Sequence, residues 1–318
     1  MIKFRSLLVF LLVFLLFSCG GDVDPLFVRV RITKFPENKT AALSITFDDG
    51  CPSVFTKIIP LLDQYNLKGT FLIIARAASE RQEWDKWNAL IANGHEVGNH
   101  SMTHSYYLGT IEDNAILERE IDSSYFVLAS HLSKPPFSFG HPFHSTSPQA
   151  DNIVFKHHFA TKISPQGFCH MVPLYNGPSF KEELKEGIEK RKWIVTTAHG
   201  IDDCFAPITY EVLQNVVQTV VASRNDLYID TFENLSKYKI ERKNTEVRIT
   251  GSADNFTVTL INDLPEIFNV PLTLAIPNLS ADQPEIVPLK GKIWSTRTDK
   301  RNTYVTVDPE GSFSVKRK

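Results

Sequence analysis

Between residues 38 and 240, short apolar runs rich in β-branched residues alternate with longer amphipathic stretches, and this alternation limits the fold more than any other feature of the chain. Residues 40–47, 69–74, 95–99, 135–143, 159–163, 193–198 and 227–230 are the strand candidates. Helices are expected over 52–65, where Pro52 opens a run with Val54, Ile58, Ile59, Leu61 and Leu62 at helical spacing, and over 84–92, closed by Asn93-Gly94. The spacing also predicts one long amphipathic helix over 112–132 and another over 210–223. Strands alternating with helices imply parallel βαβ units, an α/β fold whose chemistry collects at the carboxyl ends of the strands.

Helical periodicity is lost after residue 245. Residues 247–250, 256–260, 272–276 and 304–307 have strand character, separated by the turn-prone Gly251-Ser252, Asn262-Asp263 and Pro309-Glu310-Gly311. This reads as a small antiparallel β-sandwich over 245–318, joined to the first domain by the charged stretch 239–244. Binding glycan, docking a partner and capping the first domain all remain open for it, and Trp294 and Tyr304 do not decide among them.

The N-terminus has the form of an export signal. Lys3 and Arg5 precede the apolar run 6–17, which is too short to span a bilayer and ends at Ser18-Cys19-Gly20-Gly21. Residues 16–19 resemble a bacterial lipoprotein box, so 1–19 is read as a lipoprotein-type signal with Cys19 lipidated, and 20–37 as tether and lead-in. The expectation is an exported protein, lipid-anchored at the bacterial cell envelope. Cys51, Cys169 and Cys204 lack CxxC spacing. Export allows one disulfide without naming a pair, and each cysteine is read as a small core residue. The formal net charge of −2 and the absence of a basic stripe give no support for a nucleic-acid partner.

Two segments carry metal chemistry. Thr46-Phe47-Asp48-Asp49-Gly50 sets adjacent carboxylates at a strand end, a costly arrangement unless a cation neutralises them. Side chains that diverge there let one Asp bind a metal while the other faces a water. In the segment 94–104, His100 and His104 are spaced to share one face of a helical turn. Two imidazoles and a carboxylate suit a divalent ion, zinc first, with cobalt, nickel and manganese as alternatives. His95 precedes the turn and is read as supporting, as are Glu96 and Asn99.

Together these segments resemble the first two motifs of the polysaccharide deacetylase family, carbohydrate esterase family four, in the same order and about fifty residues apart. The resemblance covers 38–240 and implies a distorted (β/α) barrel of fewer than eight units. It implies Asp48 as catalytic base and Asp49, His100 and His104 as metal ligands. The family's third motif has two competing registers: Lys134-Pro135-Pro136-Phe137-Ser138, and the preferred Phe139-Gly140-His141-Pro142-Phe143-His144. The preferred register nominates Pro142, Phe143 and His141 for oxyanion and substrate contacts. In both, the arginine that commonly fixes the catalytic aspartate is absent. The segment 193–200 resembles the strand ending in the family's catalytic histidine, here His199, with Asp202 or Asp203 to orient it. The implied activity is metal-assisted removal of acetyl groups from an acetylated polysaccharide or oligosaccharide, with His199 as acid. Phe143 and one of Tyr106 and Tyr107 are the expected sugar-stacking rings. Two alternatives stand beside it: an O-acetyl esterase on xylan-like glycans, and a non-catalytic, metal-bearing carbohydrate-binding lipoprotein.

Overall fold

The structure, a computed structural model, describes residues 29–163, 169–174, 180–278 and 283–317. The signal segment, Cys19 and residues 20–28 of the tether lie outside the described residues.

The chain enters through β1 (Arg31–Ile32) and reaches β2 (Ala41–Phe47), every residue of which is buried. A π-helical turn, Val54–Ile58, leads into α1 (Ile59–Gln64). Then come β3 (Gly69–Ile73), α2 (Ala75–Arg81), α3 (Trp84–Ala92) and β4 (Glu96–Asn99). They are followed by α4 (Asn114–Glu120), α5 (Asp122–His131), β5 (Ser138–Phe139), α6 (Pro148–Val154) and β6 (Ala160–Thr161). The α/β part closes with β7 (His170–Pro173), α7 (Phe180–Glu189), β8 (Trp193–Thr197), α8 (Tyr210–Ala222), β9 (Leu227–Ile229) and α9 (Phe232–Asn244).

These strands form one parallel eight-stranded sheet in the order β6-β5-β4-β3-β2-β8-β7, with β9 also on β2. One edge of β2 carries β8; the other carries β9 along Ala41–Leu43 and β3 along Ile45–Phe47, which curls the sheet. Among the described residues no pairing joins β6 to β7, and no helix separates them. The result is a distorted, unclosed (β/α) barrel with seven strand–helix units. Its core packs the inward residues of β2 and β3 against α1, α3, α7 and α8, with Phe47 stacked on Phe71. Each such large apolar side chain contributes on the order of 2 kcal/mol by burial.

The all-β part is a sandwich of two four-stranded antiparallel sheets. One is β1 with β12 (Leu272–Pro277), β15 (Asn302–Val307) and β14 (Ile293–Thr298). The other joins β10 (Glu246–Gly251), β11 (Asn255–Ile261), β16 (Ser312–Lys316) and β13 (Glu285–Lys290). Alternation along β11 sends Phe256, Val258 and Leu260 inward to meet Leu272, Leu274, Val305, Phe313 and Val315. Tyr238 of α9 joins the same cluster, and β1 pairs antiparallel with β12, so the lead-in is stitched to the sandwich.

Two sequence expectations need correction. The helix over 112–132 is broken at Ile121, because the Glu120 carbonyl accepts from Met102 N at 2.8 Å, tying the helix to the loop after β4. The stretch 239–244 is no linker but the end of α9, held in place by buried Leu235 and Tyr238 one turn earlier.

Candidate active site

The chemically loaded residues gather where β2, β4 and β8 end. Asp48 N donates to Ala198 O at 2.8 Å, joining the ends of β2 and β8. The chain then turns sharply, with Asp49 at φ 73° and Gly50 at φ 67°. A Cβ on Gly50 would meet Ile73 Cγ2 at 3.0 Å, so both conformation and space favour glycine there. The turn directs Asp48 and Asp49 to different neighbours.

Asp49 faces the histidines. Its Oδ1 lies 3.5 Å from His100 Nε2 and 3.3 Å from His104 Nε2, and the three donor atoms fall within 4.8 Å of one another. The segment from His100 to His104 is a loop and not the expected helical turn. Ser101 and His104 have positive φ, and the loop is held by its own polar groups. Ser101 N donates to Asn99 Oδ1, His104 N to Ser101 Oγ, and Thr103 N and Oγ1 to the Glu120 carboxylate. Strain of this sort persists where the surroundings over-determine it.

These donors fit a divalent metal. Asp49 Oδ1 is buried without a hydrogen-bond partner among the described residues, an expensive state for a carboxylate oxygen unless a cation completes it. His100 Nδ1 is 2.7 Å from the Gly140 carbonyl, which must accept, so Nδ1 carries the proton and the Nε2 lone pair faces Asp49. Gly140 is needed for that approach, since a Cβ there would lie 2.4 Å from Leu72 Cδ1 and 3.1 Å from His100 Nδ1. Burial, together with the nearby His104 and Lys162, brings the His100 pKa down to about 4 against the opposing pull of Asp48 and Asp49, so its imidazole is neutral at pH 7.

Asp48 is gripped by a residue that the sequence did not single out. Lys162, just past β6, is buried and places Nζ 2.6 Å from Oδ1 and 2.7 Å from Oδ2 of Asp48. Thr197 Oγ1 donates to Oδ2 at 3.1 Å. Burial pushes the Asp48 carboxyl upward, but Lys162 and the neighbouring His100 outweigh it and bring the pKa to about 2. The lysine of the rejected register, Lys134, is far from this chemistry: it pairs with Glu233 at 2.7 Å, beside the buried Glu96 at the opposite ends of the strands. The one sequence signal for Lys162 was a charged residue inside the apolar run 159–163.

The preferred third segment divides. Phe143 is half-exposed at φ 50° and packs 4.6 Å from the His104 ring and 4.5 Å from Tyr106, with exposed Tyr107 beyond. Pro142 is buried. His141 turns inward: Nε2 lies 3.0 Å from Asp151 Oδ1 and Nδ1 3.0 Å from Thr161 Oγ1, so it braces the loop and is not open to a ligand. His144 stands beside Lys162 and Asp48, and burial and Lys162 lower its pKa. Trp84 and Trp87 are core residues.

His199 follows β8 and packs edge-on against Phe205 at 5.7 Å. Neither proposed orienting carboxylate serves it: Asp203 accepts from Ser53 N at 2.8 Å and Ser53 Oγ at 2.5 Å, and Asp202 pairs with Lys57 at 2.9 Å. The loop is held instead by a disulfide between Cys51 and Cys204, which ties the turn after β2 to the loop after β8. Two of the three cysteines expected as core residues are therefore a crosslink, and Cys169 is free.

The sequence model of the polysaccharide deacetylase family matches residues 36–161. A chitooligosaccharide deacetylase of Sinorhizobium fredii is 39% identical over 72 residues, covering 22% of this chain and 33% of the relative. A peptidoglycan-N-acetylglucosamine deacetylase of Bacillus cereus is 31% identical over 103 residues, covering 31% and 47% respectively. A Bacillus gellan lyase is 21% identical over 330 residues, covering 90% of this chain but 13% of the lyase. The chain thus spans less than half the length of each of these relatives. The matched segment, residues 36–161, contains the Asp48-Asp49 turn, His100 and His104, and over this part the chain is similar to the polysaccharide deacetylase family.

Proposed function

We propose that this protein is a metal-dependent hydrolase that removes acetyl groups from an acetylated polysaccharide or oligosaccharide, N-acetylglucosamine glycans foremost. One observation carries the reading: an Asp-His-His donor set with an orphaned carboxylate oxygen lies beside a buried carboxylate that Lys162 keeps ionised. The deacetylases among its relatives are named for chitooligosaccharide and for the N-acetylglucosamine of peptidoglycan, which favours the amide over the ester.

Asp49, His100 and His104 would hold the metal, zinc by the chemistry of the donors, and the ion would supply Lewis acidity to the acetyl carbonyl and to the attacking water. Asp48, ionised at neutral pH, takes a proton from that water. Pro142 has no N–H, so the backbone N–H of Phe143 is the donor this segment offers to a developing oxyanion. His199 delivers a proton to the departing amine. Phe143 and Tyr106 form an exposed aromatic step beside His104 on which a pyranose ring can stack.

The location proposed is the bacterial cell envelope, the protein being exported and anchored through lipid on Cys19. The support is the basic start, the short apolar run and the small-residue finish of the N-terminus. Both readings have direct tests. Mass spectrometry of acetate released from N-acetylated and O-acetylated oligosaccharides tests the activity: release from neither class refutes it, and release from the ester alone moves the function to an O-acetyl esterase. Membrane partition of the wild type, lost in Cys19→Ala, tests the anchor.

A further inference from the structure

A second cavity lies at the end of the barrel opposite Asp48, where the strands begin. It has a volume of about 350 Å³ and is bounded by Lys34 and Phe35 ahead of β2, Cys169 and His170 at β7, Lys192 and Trp193 at β8, and α9. Helix α9 contributes Leu235, Tyr238, Lys239 and Arg242, the spacing that sets four side chains on one helical face. Phe35, Trp193, Leu235 and Tyr238 make a buried apolar floor, and Lys34, Lys192, Lys239 and Arg242 stand around it.

The charge there is one-sided. No carboxylate is among the described residues lining the cavity; Glu183, 3.4 Å from His170 Nε2, belongs to α7 outside the wall. Arg242 Nε is buried and has no hydrogen-bond partner among the described residues. Cys169 supplies no negative charge, because burial pushes its thiol up to about 11. Lys34 and Lys239 are both held below the ordinary lysine range, first by burial and also by surrounding cations: Arg191, Lys192 and Arg242 for Lys34, and Arg242, Lys243 and Lys34 for Lys239, the last against an opposing pull from Cys169. Gathering like charges on an apolar floor is unfavourable in the empty protein, and an anion entering the cavity relieves it.

We propose that this cavity is a ligand site for a ring-sized anion, a pyranose bearing a carboxylate or phosphoryl group. The volume suits one sugar unit. The floor suits the C–H face of a ring, and Arg242, whose buried Nε has no partner among the described residues, can grip the acidic group from one side while Lys34 and Lys192 face it from the others. Nothing in the cavity recommends a neutral ligand, which would leave the repulsion and the orphaned Nε as they are.

The test is calorimetric titration of the whole purified protein with glucuronate, glucose 6-phosphate, glucose and inorganic phosphate, at low and at physiological ionic strength. Saturable binding of at least one anionic sugar is expected, none of glucose, with affinity falling as salt rises. Arg242→Gln should weaken that binding about tenfold or more, the loss of a charge-assisted hydrogen bond. The exposed Lys192→Gln, which has no core packing to lose, should weaken it too. Glucuronate against glucose 6-phosphate distinguishes carboxylate from phosphoryl. Failure of both to bind, unchanged affinity in both variants, or phosphate alone binding as tightly as its sugar ester overturns the assignment. Binding is read directly, so the outcome is independent of turnover at Asp48.

Discussion

Lys162 closes on both carboxylate oxygens of Asp48, and the two residues follow β6, at the edge of the sheet, and β2, in its interior, 114 positions apart in sequence. A buried carboxylate without a partner would take up a proton. The lysine prevents that, and Thr46 and Thr197 hold the ammonium in turn at 3.3 and 3.2 Å. A cation thus reaches the aspartate by a route independent of the third motif.

Lys162→Met should release Asp48 from its low pKa and move the acid limb of the pH–rate profile upward. Turnover should fall about tenfold to a hundredfold at neutral pH, with a smaller change in KM, and Lys162→Arg should recover part of it. A profile whose acid limb stays in place in Lys162→Met would show that the lysine does not set the state of Asp48.

The same pair makes stability depend on pH. The Asp48 pKa falls from an ordinary 3.8 to about 2 on folding. A depressed carboxylate pKa contributes stability that is full above about pH 4 and is lost as pH falls through about 2; the shift corresponds to about 2 kcal/mol. Denaturant titrations at pH 7 and pH 3 should show the wild type losing more stability on acidification than Asp48→Asn. Parallel losses would contradict it.

Metal affinity should separate from catalysis. Asp49→Ala and His104→Ala remove donor atoms and should leave purified protein with background metal by elemental analysis. Asp48→Asn should keep its metal and lose turnover, because a base governs rate and the donors govern affinity. Full occupancy in His104→Ala would rule out the site as drawn.

The Cys51–Cys204 bond closes a loop of 153 residues and anchors both the Asp48-Asp49 turn and the His199 loop. Replacing both cysteines by alanine should cost about 2–5 kcal/mol in chemical denaturation. It should also lower turnover beyond what the remaining folded fraction explains. An alanine pair with wild-type stability and rate would mean the crosslink holds nothing that matters.

What could be read from the chain follows from how local each signal is. Asp48-Asp49 and His100-His104 are contiguous patterns, and strand ends bring contiguous patterns to a predictable face. Lys162 is a lone residue whose meaning depends on a partner across the sheet, and no spacing announces it. Nor does spacing pair Cys51 with Cys204. The break at Ile121 was hidden because helical periodicity runs through it, while the Glu120 carbonyl and carboxylate are drawn to Met102 and Thr103. The charges of 239–244 looked like a linker, yet they include the cationic face of α9.

His199 gives the last prediction. With Asp202 and Asp203 engaged by Lys57 and Ser53, its position depends on the end of β8, on Phe205 and on the disulfide-anchored loop. A general acid must be protonated when the tetrahedral intermediate collapses, whereas Asp48 must begin ionised. The rate should rise and then fall with pH, the two limbs belonging to the coupled site. His199→Ala should flatten the alkaline limb and cost on the order of a hundredfold or more in turnover. Metal content should not change, since His199 lies outside the Asp49, His100 and His104 donor set. The loss should be larger for an acetamide than for an activated aryl acetate, whose leaving group departs without a proton. Assaying both substrates on the one variant decides the role: equal losses would mean that His199 shapes the pocket and does not deliver the proton.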